Sequence, residues 1–258
     1  MNSGDGLAGT SRDASRRRPL PAVLARVAWH LLGGAATILL AFPLLDPQRR
    51  AARVGRWSRR LLEILAVRIS IGGAPLQPGC LIVANHISWL DVYVINAVQP
   101  AAFVAKAEVA AWPLIGWMAA RAGTIFLRRG SRGHAKIINA EIARVLDGGG
   151  NVAVFPEGTT TDGSQLLHFH AALLQPAIVA GHAVQPVAIA YRDGRGRRST
   201  VAAYVGDGSL WQSLRAIATA AELSVEVWVG APLSGDIAHR RELAEAARNA
   251  IAARVLSG

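Results

Sequence analysis

From residue 67 onwards, the chain alternates short apolar runs with longer amphipathic segments. The runs at 80–84 and 151–155 are almost continuously apolar, which is typical of strands that are buried on both faces of a sheet. The same pattern predicts further strands at 67–71, 102–105, 124–127, 183–191, 200–205 and 224–229. Helices are predicted at 91–98, 113–122, 133–147, 171–180 and after Asp236. This alternation indicates an α/β fold, with a mostly parallel sheet sandwiched by helices.

The first 65 residues follow a different pattern. Residues 1–21 are polar and rich in glycine, serine and arginine, and they are predicted to form a disordered tail. An uncharged stretch at 27–45 is just long enough to cross a hydrocarbon core of about 30 Å. The next segment, 47–65, alternates arginine with large apolar residues, as an interfacial helix does. Residues 22–65 are therefore predicted to be a membrane-associated helical segment, followed by one domain at 66–258.

Arginines lie on both sides of the uncharged stretch. Basic residues that flank a membrane segment tend to stay on the cytoplasmic side. Both ends therefore favour the same side, which argues against a single span and indicates a re-entrant or shallow helical pair. The expected location is the cytoplasmic face of the inner (plasma) membrane. A pair of core helices packed on the domain is the alternative.

The composition is consistent with a membrane partner. Hydrophobic residues make up 52% of the 258 residues, and the formal net charge of +11 comes almost entirely from arginine. Such an excess suits nucleic acid, an anionic membrane surface or an acidic protein. No nucleic-acid-binding motif is visible, so a lipid membrane is the expected partner and nucleic acid is not. The single cysteine, Cys80, excludes an internal disulfide and a cysteine-based zinc site.

The segment 85–91, Asn-His-Ile-Ser-Trp-Leu-Asp, lies where a predicted strand gives way to a helix. His86 thus stands at the carboxyl end of a strand, in the crevice where open α/β sheets bind ligands. An imidazole is suited to accept a proton at neutral pH. Asp91 can fold back to orient that imidazole, as the carboxylate of a hydrolase triad does. A structural histidine beside a helix-capping aspartate is the alternative.

The segment 155–159, Phe-Pro-Glu-Gly-Thr, directly follows the other buried strand. Pro156 fixes the exit from the strand, and Gly158 allows the backbone to approach a ligand closely. Glu157 places a carboxylate at the same edge of the sheet. The alternative is a strand-ending turn in which Glu157 is solvated.

Two further sets of residues are weaker candidates for a functional role. His168 and His170 lie two residues apart, but no third ligand lies nearby in the sequence, so no metal site is expected. Ser88 lacks the Gly-x-Ser-x-Gly context of a hydrolase nucleophile.

Four segments in order resemble the four blocks of the glycerolipid acyltransferase family, which includes 1-acylglycerol-3-phosphate and lyso-ornithine-lipid acyltransferases. Lys106 and the segment 112–117 also match, and the likeness covers residues 67–232. Four ordered blocks are far more specific than any one of them. The four segments are 86–91, 123–129, 155–159 and 184–189.

The resemblance implies an O-acyltransferase that moves a fatty acyl group from acyl-CoA or acyl carrier protein to the free hydroxyl of a lysolipid. It implies that His86 is the general base and that Asp91 orients it. The alkoxide would attack the thioester directly, without an acyl-enzyme. The acyl donor is a co-substrate, and no other cofactor is implied.

The resemblance also assigns the substrate head-group site. It implies that this site is shaped by Arg129, whose guanidinium fork suits phosphate or carboxylate, together with Glu157, Gly158 and Thr159.

This chain departs from the family at positions that concern the head group. The family commonly has an acidic residue where Arg128 stands, and phosphatidate-forming members often have arginine where Thr160 stands. The commonest activity of the family favours 1-acylglycerol-3-phosphate as acceptor, with phosphatidic acid as product. The continuation at 160–163, Thr-Thr-Asp-Gly, is closer to the lyso-ornithine-lipid branch, which is the alternative.

Two readings of other classes remain open. A non-catalytic membrane-surface lipid-binding protein would need the arginines but neither the His86 segment nor the Glu157 segment, so their presence favours an enzyme. A thioesterase would use His86 to activate water and would release the acyl group without an acceptor.

Overall fold

The computed structural model describes residues 18–127, 132–206, 208–233 and 239–256. Within these residues the helices are α1 (Leu20–Leu40), α2 (Pro47–Leu65), α3 (Asp91–Val98), α4 (Ile115–Arg121), α5 (Arg132–Asp147), α6 (Gln175–Ala180), α7 (Leu210–Thr219) and α8 (Arg240–Val255). The strands are β1 (Val67–Gly73), β2 (Leu81–Ala84), β3 (Ala101–Lys106), β4 (Ile125–Leu127), β5 (Asn151–Val154), β6 (Val184–Arg192) and β7 (Leu223–Val229). Short 3₁₀ helices are formed by Phe42–Leu44, Ala107–Ala111 and Ala171–Leu174.

The strands form one sheet in the order β1-β7-β6-β2-β5-β3-β4. Neighbouring strands are parallel except β6 and β7, so β1 and β7 run opposite to the other five. The mostly parallel α/β sheet expected from the alternating pattern is confirmed.

Side chains of the central strands alternate between two hydrophobic layers. In β2, Ile82 packs with α1, α2, α3 and α7, whereas Leu81 and Val83 pack with α5, α6 and α8 on the opposite face. The neighbouring strand β5 alternates in the same way. Both faces are therefore covered by helices, which explains why these two strands are apolar at nearly every position.

The strands β2 and β5 are adjacent and parallel, with Val83 paired to Val154. Their carboxyl ends therefore open at the same edge of the sheet, the usual ligand-binding edge of an open α/β sheet. The loop that contains His86 follows one strand, and the loop that contains Glu157 follows the other.

The two N-terminal helices form a hairpin that is fastened to the domain. The rings of His30 on α1 and Trp57 on α2 stack at 4.5 Å, and each side chain hydrogen-bonds the backbone oxygen of the other residue. Arg18 donates to the carbonyl oxygens of Ile64 and Leu65 at the end of α2. The start of α1 is thereby attached to the end of α2.

The outward faces of the hairpin differ in polarity. On α1, Trp29 and Leu40 are 78% and 75% exposed, and Leu44 in the connecting turn is 83% exposed. The outward face of α2 instead carries arginines, among them Arg53 and Arg56. Among the described helices, α1 is the one long and apolar enough to cross a membrane, and 22% of its apolar window is buried.

Three of the differences between the predicted and the observed boundaries concern where and how a helix begins. The predicted tail at 1–21 overlaps α1, which begins at Leu20; residues 1–17 lie outside the described part of the chain. The helix predicted at 113–122 spans only Ile115–Arg121, because Leu114 adopts a positive φ of 59° that interrupts helical geometry. The helix predicted at 171–180 begins as a 3₁₀ turn, Ala171–Leu174.

The strand predicted at 200–205 was wrong. Ala203 N–H bonds to the Thr200 carbonyl, which makes a turn, and Tyr204 N–H donates to the Ile87 carbonyl at 2.9 Å. The backbone groups of this segment thus support the loop after β2 instead of pairing along the sheet.

Candidate active site

Asn85 sets the direction of the chain as it leaves β2. Its side chain donates to the Ile189 carbonyl at 2.9 Å and accepts from the Ile189 N–H at 2.8 Å. The amide thus replaces the next backbone pair of the β2–β6 ladder. Because the side chain satisfies β6, the backbone of the following residue, His86, is free to turn away from the sheet.

His86 and Asp91 are brought together as the sequence predicted. The imidazole Nδ1 lies 2.9 Å from Asp91 Oδ2, and the His86 side chain is 20% exposed. With Nδ1 directed at the carboxylate, Nε2 is the nitrogen left to exchange a proton with a substrate. The imidazole ring stacks on Phe155 at 3.9 Å, which fixes its plane.

Asp91 is the first residue of α3 and is completely buried. Its Oδ2 also accepts the backbone N–H groups of Ile87 at 2.7 Å and Ser88 at 2.8 Å. These donors and the positive end of the helix dipole compensate a buried negative charge. The sequence offered orientation of the histidine or capping of the helix. The carboxylate contacts the His86 ring and the N–H groups of the loop before α3, and α3 has no side-chain cap.

Glu157 lies beneath the histidine loop. The side chain is 4% exposed, Oε1 accepts from the His86 N–H at 2.8 Å, and Oε2 accepts from the Leu167 N–H at 2.9 Å. Burial raises the pKa of Glu157, and the two N–H donors oppose that rise. The solvated alternative is therefore excluded, and Glu157 ties two loops together at the sheet edge.

Some of the remaining predicted residues lie in the described part of the structure, and others lie outside it. Gly158 has a φ of 69°, a left-handed conformation that glycine adopts without strain, and Thr159 beside it is exposed. The Thr160 hydroxyl donates to the Tyr204 carbonyl and so faces the neighbouring loop. Arg129, and Arg128 before it, lie outside the described residues.

The loop after Gly158 lies against the histidine loop and the C-terminal helix. Thr161 N–H donates to the His86 carbonyl at 2.8 Å. Farther along the loop, Arg248 on α8 donates to the carbonyls of Leu166 at 2.8 Å and Leu167 at 3.0 Å. The loop is therefore held between α8 and the residues around His86.

An apolar cavity of about 120 Å³ lies between the hairpin and α3, the helix that begins with Asp91. Its lining includes Gly34 on α1, Trp57 on α2 and Phe103 on β3. The Phe103 ring lies 6.0 Å from that of Phe155, the ring on which His86 stacks. The cavity is thus separated from the imidazole by two aromatic rings.

Sequence reasoning missed Tyr191, Thr161 and Arg248. Tyr191 Oη donates to Asp91 Oδ1 at 2.7 Å, across 100 residues of chain. No local spacing could have identified these residues, because each meets its partner only through the fold. Tyr191 does follow the predicted strand block 184–189, which was the one available signal.

Among the described residues, no group of three or more histidine, cysteine, aspartate or glutamate side chains is placed to hold a metal ion. His168 and His170 lie with their ring centroids 6.0 Å apart in an edge-on arrangement. The imidazole of His86, oriented by Asp91 at the open sheet edge, can take a proton from a hydroxyl and return it to a leaving group.

Residues 68–190 match the family model described as Acyltransferase. The chain is 43% identical over 224 residues to a lyso-ornithine lipid O-acyltransferase of Pseudomonas aeruginosa, covering 85% of this chain and 86% of that protein. It is 41% identical over 171 residues to a 1-acyl-sn-glycerol-3-phosphate acyltransferase of Neisseria meningitidis, covering 64% of this chain and 67% of that protein.

The fold is also similar to a solved structure. The crystal structure of the 1-acyl-sn-glycerophosphate acyltransferase PlsC from Thermotoga maritima matches with a TM-score of 0.70, covering 92% of this chain and 94% of that chain at 21% identity. The sequence match covers 85% of the chain. The arrangement of His86 with Asp91 is the one that the acyltransferase resemblance implied. The chain belongs to the acyltransferase family.

Proposed function

We propose that this protein is an O-acyltransferase that moves a fatty acyl group from a thioester donor, acyl-CoA or acyl carrier protein, to the free hydroxyl of a lysolipid. The observation that carries the proposal is the oriented His86–Asp91 pair at the open edge of the sheet. The similarity to acyltransferases over most of the chain supports the same reaction.

The geometry supports the following roles in this reaction. His86 Nε2 takes the proton of the acceptor hydroxyl while the oxygen attacks the thioester carbonyl. The carbon–sulfur bond then breaks, and the imidazolium returns the proton to the leaving thiolate. Asp91 stabilises the imidazolium, and no protein side chain becomes acylated.

The apolar cavity beside α3 is the proposed position of a fatty chain. It lies one aromatic layer beyond Phe155, and its lining comes from both the hairpin and the catalytic domain. Burying a methylene group contributes about 0.8 kcal/mol, so a chain gains more from this cavity than a polar head group would.

The head-group site is proposed to involve Arg129, Gly158 and Thr159, and Glu157 shapes it by fixing the loops. Two acceptors fit the family: 1-acylglycerol-3-phosphate, which gives phosphatidic acid, and lyso-ornithine lipid. The second is favoured by Thr160, which replaces a frequent arginine and directs its hydroxyl to Tyr204, and by the longer match to a lyso-ornithine lipid acyltransferase.

The hairpin of α1 and α2 is the proposed membrane anchor on the cytoplasmic face of the inner membrane. Its support is the apolar outward face of α1 beside the arginine-rich outward face of α2, a polarity that suits the boundary between acyl chains and anionic head groups. Arg18 joins the start of the hairpin to its end, so the two ends lie side by side, as a re-entrant anchor requires.

One assay tests the reaction and separates its alternatives. The purified protein is incubated with acyl-CoA or acyl carrier protein and a panel of lysolipids, and products are identified by mass spectrometry. A diacyl product that falls about 10²–10⁴-fold in His86→Ala supports the proposal. Free fatty acid without a diacyl product would indicate a thioesterase, and binding to vesicles without turnover a lipid-binding protein.

The same panel tests the head group. Lysophosphatidic acid, lyso-ornithine lipid and monoacylglycerol are compared as acceptors. Arg129→Lys keeps the charge but loses the bidentate fork, so it should raise the acceptor KM, by about tenfold to a hundredfold if ~1.5–3 kcal/mol is lost. The donor KM serves as the internal control. An equal effect on both KM values would contradict a head-group role for Arg129.

Vesicle binding tests the anchor. Leu40→Glu places a charge on the outward face of α1 and should release the full chain from anionic vesicles in a sedimentation assay. Val179→Glu on α6, at a site that is 76% exposed, is the matched control and should leave binding unchanged. Equal binding of both variants would exclude this face as the anchor.

A further inference from the structure

Tyr191 lies one residue before the end of β6, and its hydroxyl reaches the catalytic pair. Side chains along a strand alternate, so Tyr191 points to the same face as Ile189, whose backbone pairs with the Asn85 side chain. That face is covered by α3, the helix that begins with Asp91. Tyr191 is 1% exposed and Asp91 is 0% exposed, so their 2.7 Å contact is shielded from water.

The two oxygens of Asp91 have different partners. Oδ2 accepts from His86 Nδ1 and from the N–H groups of Ile87 and Ser88. Oδ1 accepts from the Tyr191 hydroxyl. The tyrosine therefore fixes the rotation of the carboxylate and determines which oxygen faces the imidazole.

We propose that Tyr191 is a positioning residue of the acyl transfer, which acts through Asp91 to keep His86 oriented and able to release its proton. The inference rests on the proposed function, because it assigns a role within the same reaction. The tyrosine O–H draws part of the carboxylate charge towards Oδ1, as charge-assisted hydrogen bonds do. The imidazolium is thus held by Oδ2 but not so tightly that its proton is withheld from the leaving thiolate.

The surroundings keep Tyr191 a donor. Burial and the nearby Asp91 charge raise the pKa of Tyr191 well above its ordinary value, so its proton stays in place at any working pH. Two titratable side chains are hydrogen-bonded to His86: Asp91 from α3 contacts its ring, and Glu157 from the loop after β5 contacts its backbone N–H.

Replacing Tyr191 by phenylalanine removes the donor and keeps the ring. In Tyr191→Phe, kcat should fall about tenfold to a hundredfold, the effect of losing one hydrogen bond to a charged group. Both KM values should remain unchanged, because Tyr191 is buried and its hydroxyl contacts Asp91. The carboxylate then holds the imidazolium proton more tightly, so the acid limb of the kcat–pH profile should move to higher pH by about half to one unit.

A double-mutant cycle separates positioning from packing. If Tyr191 acts through Asp91, Tyr191→Phe should add little to the loss already caused by Asp91→Asn. Losses that multiply, with an unmoved pH profile and only a lower unfolding temperature, would overturn the proposal and leave a packing role. A Tyr191→Phe enzyme with wild-type kcat and pH profile would also overturn it.

A second variant covers the case in which Tyr191→Phe fails to fold. Site-specific 3-fluorotyrosine at position 191 keeps the hydroxyl but makes it a stronger donor, so the acid limb should move to lower pH. An unmoved limb would contradict the proposal. The wild-type assay distinguishes the two levels: absence of any diacyl product refutes the proposed function, whereas a diacyl product with an unaffected Tyr191 variant refutes only this inference.

Discussion

The carboxylate of Glu157 holds the backbone of His86: Oε1 accepts the His86 N–H at 2.8 Å, while Oε2 accepts the Leu167 N–H at 2.9 Å. One buried side chain thus joins the loop after β2 to the loop after β5. Since both oxygens are used by backbone donors, Glu157 acts on the site by fixing loop positions.

Glu157→Gln should lower kcat by about tenfold or more, which corresponds to about 1.4 kcal/mol. An amide has one accepting oxygen, and its NH₂ group would face a backbone N–H that also needs an acceptor. Both KM values should change little. Steady-state kinetics check this, with Glu141→Gln on the exposed face of α5 as the matched control; an equal loss in both variants would contradict the role of Glu157.

The free energies of unfolding of the wild-type and Glu157→Gln proteins should differ most at acidic pH. Because burial raises the folded-state pKa of Glu157 above its ordinary value of 4.5, the folded state binds a proton more readily than the unfolded state. The stabilisation that protonated Glu157 contributes is fully present when the pH is below the ordinary pKa. It is lost as the pH rises through the raised folded-state pKa. The destabilisation caused by Glu157→Gln should therefore shrink as pH rises through this window. Urea unfolding across the window measures it, and a difference that grows with pH would contradict the raised pKa.

Arg248→Ala should reduce kcat by about threefold to tenfold, part of the ~1.5–3 kcal/mol typical of a hydrogen bond to a charged group. The guanidinium holds the Leu166 and Leu167 carbonyls, and Leu167 in turn donates to Glu157. Arg241→Ala, an exposed arginine on the same helix, is the control and should leave kcat unchanged. Steady-state kinetics of both variants test this. Equal kcat values for Arg248→Ala and Arg241→Ala would exclude a link from α8 to the site.

Cysteines introduced at Ser15 and Gln48 should be labelled from the same side of the membrane. The two positions flank α1, and a re-entrant hairpin returns both to the cytoplasmic side. Burial raises the pKa of Cys80 to about 11, so the native thiol does not react at labelling pH and gives a clean background. Labelling with membrane-impermeant maleimide in oriented vesicles tests this; reaction from opposite sides would support a single span.

The parts of this protein that the sequence predicted are those whose cause is local. The strands β2 and β5 carry their burial in their own apolar runs, and His86 and Asp91 are five residues apart, so one loop and one helix start bring them together. Tyr191 is 100 residues from Asp91, and its role depends on strand order. The strand predicted at 200–205 failed for the same reason, since a distant loop at Ile87 supplies its hydrogen-bond partner.

The close contact between α2 and α3 has a further consequence. A Cβ atom on Gly55 of α2 would lie 3.1 Å from the Asn96 carbonyl oxygen of α3, and Arg59 donates to the Ala97 carbonyl oxygen at 2.6 Å. The proposed anchor is therefore packed directly against the helix that begins with Asp91. If the hairpin is embedded in one leaflet as proposed, this packing would hold the imidazole at a constant height relative to the phosphate plane. An acceptor would then have to present its hydroxyl at that height, so the anchor would select among lysolipids by the depth of their hydroxyl, independently of head-group charge.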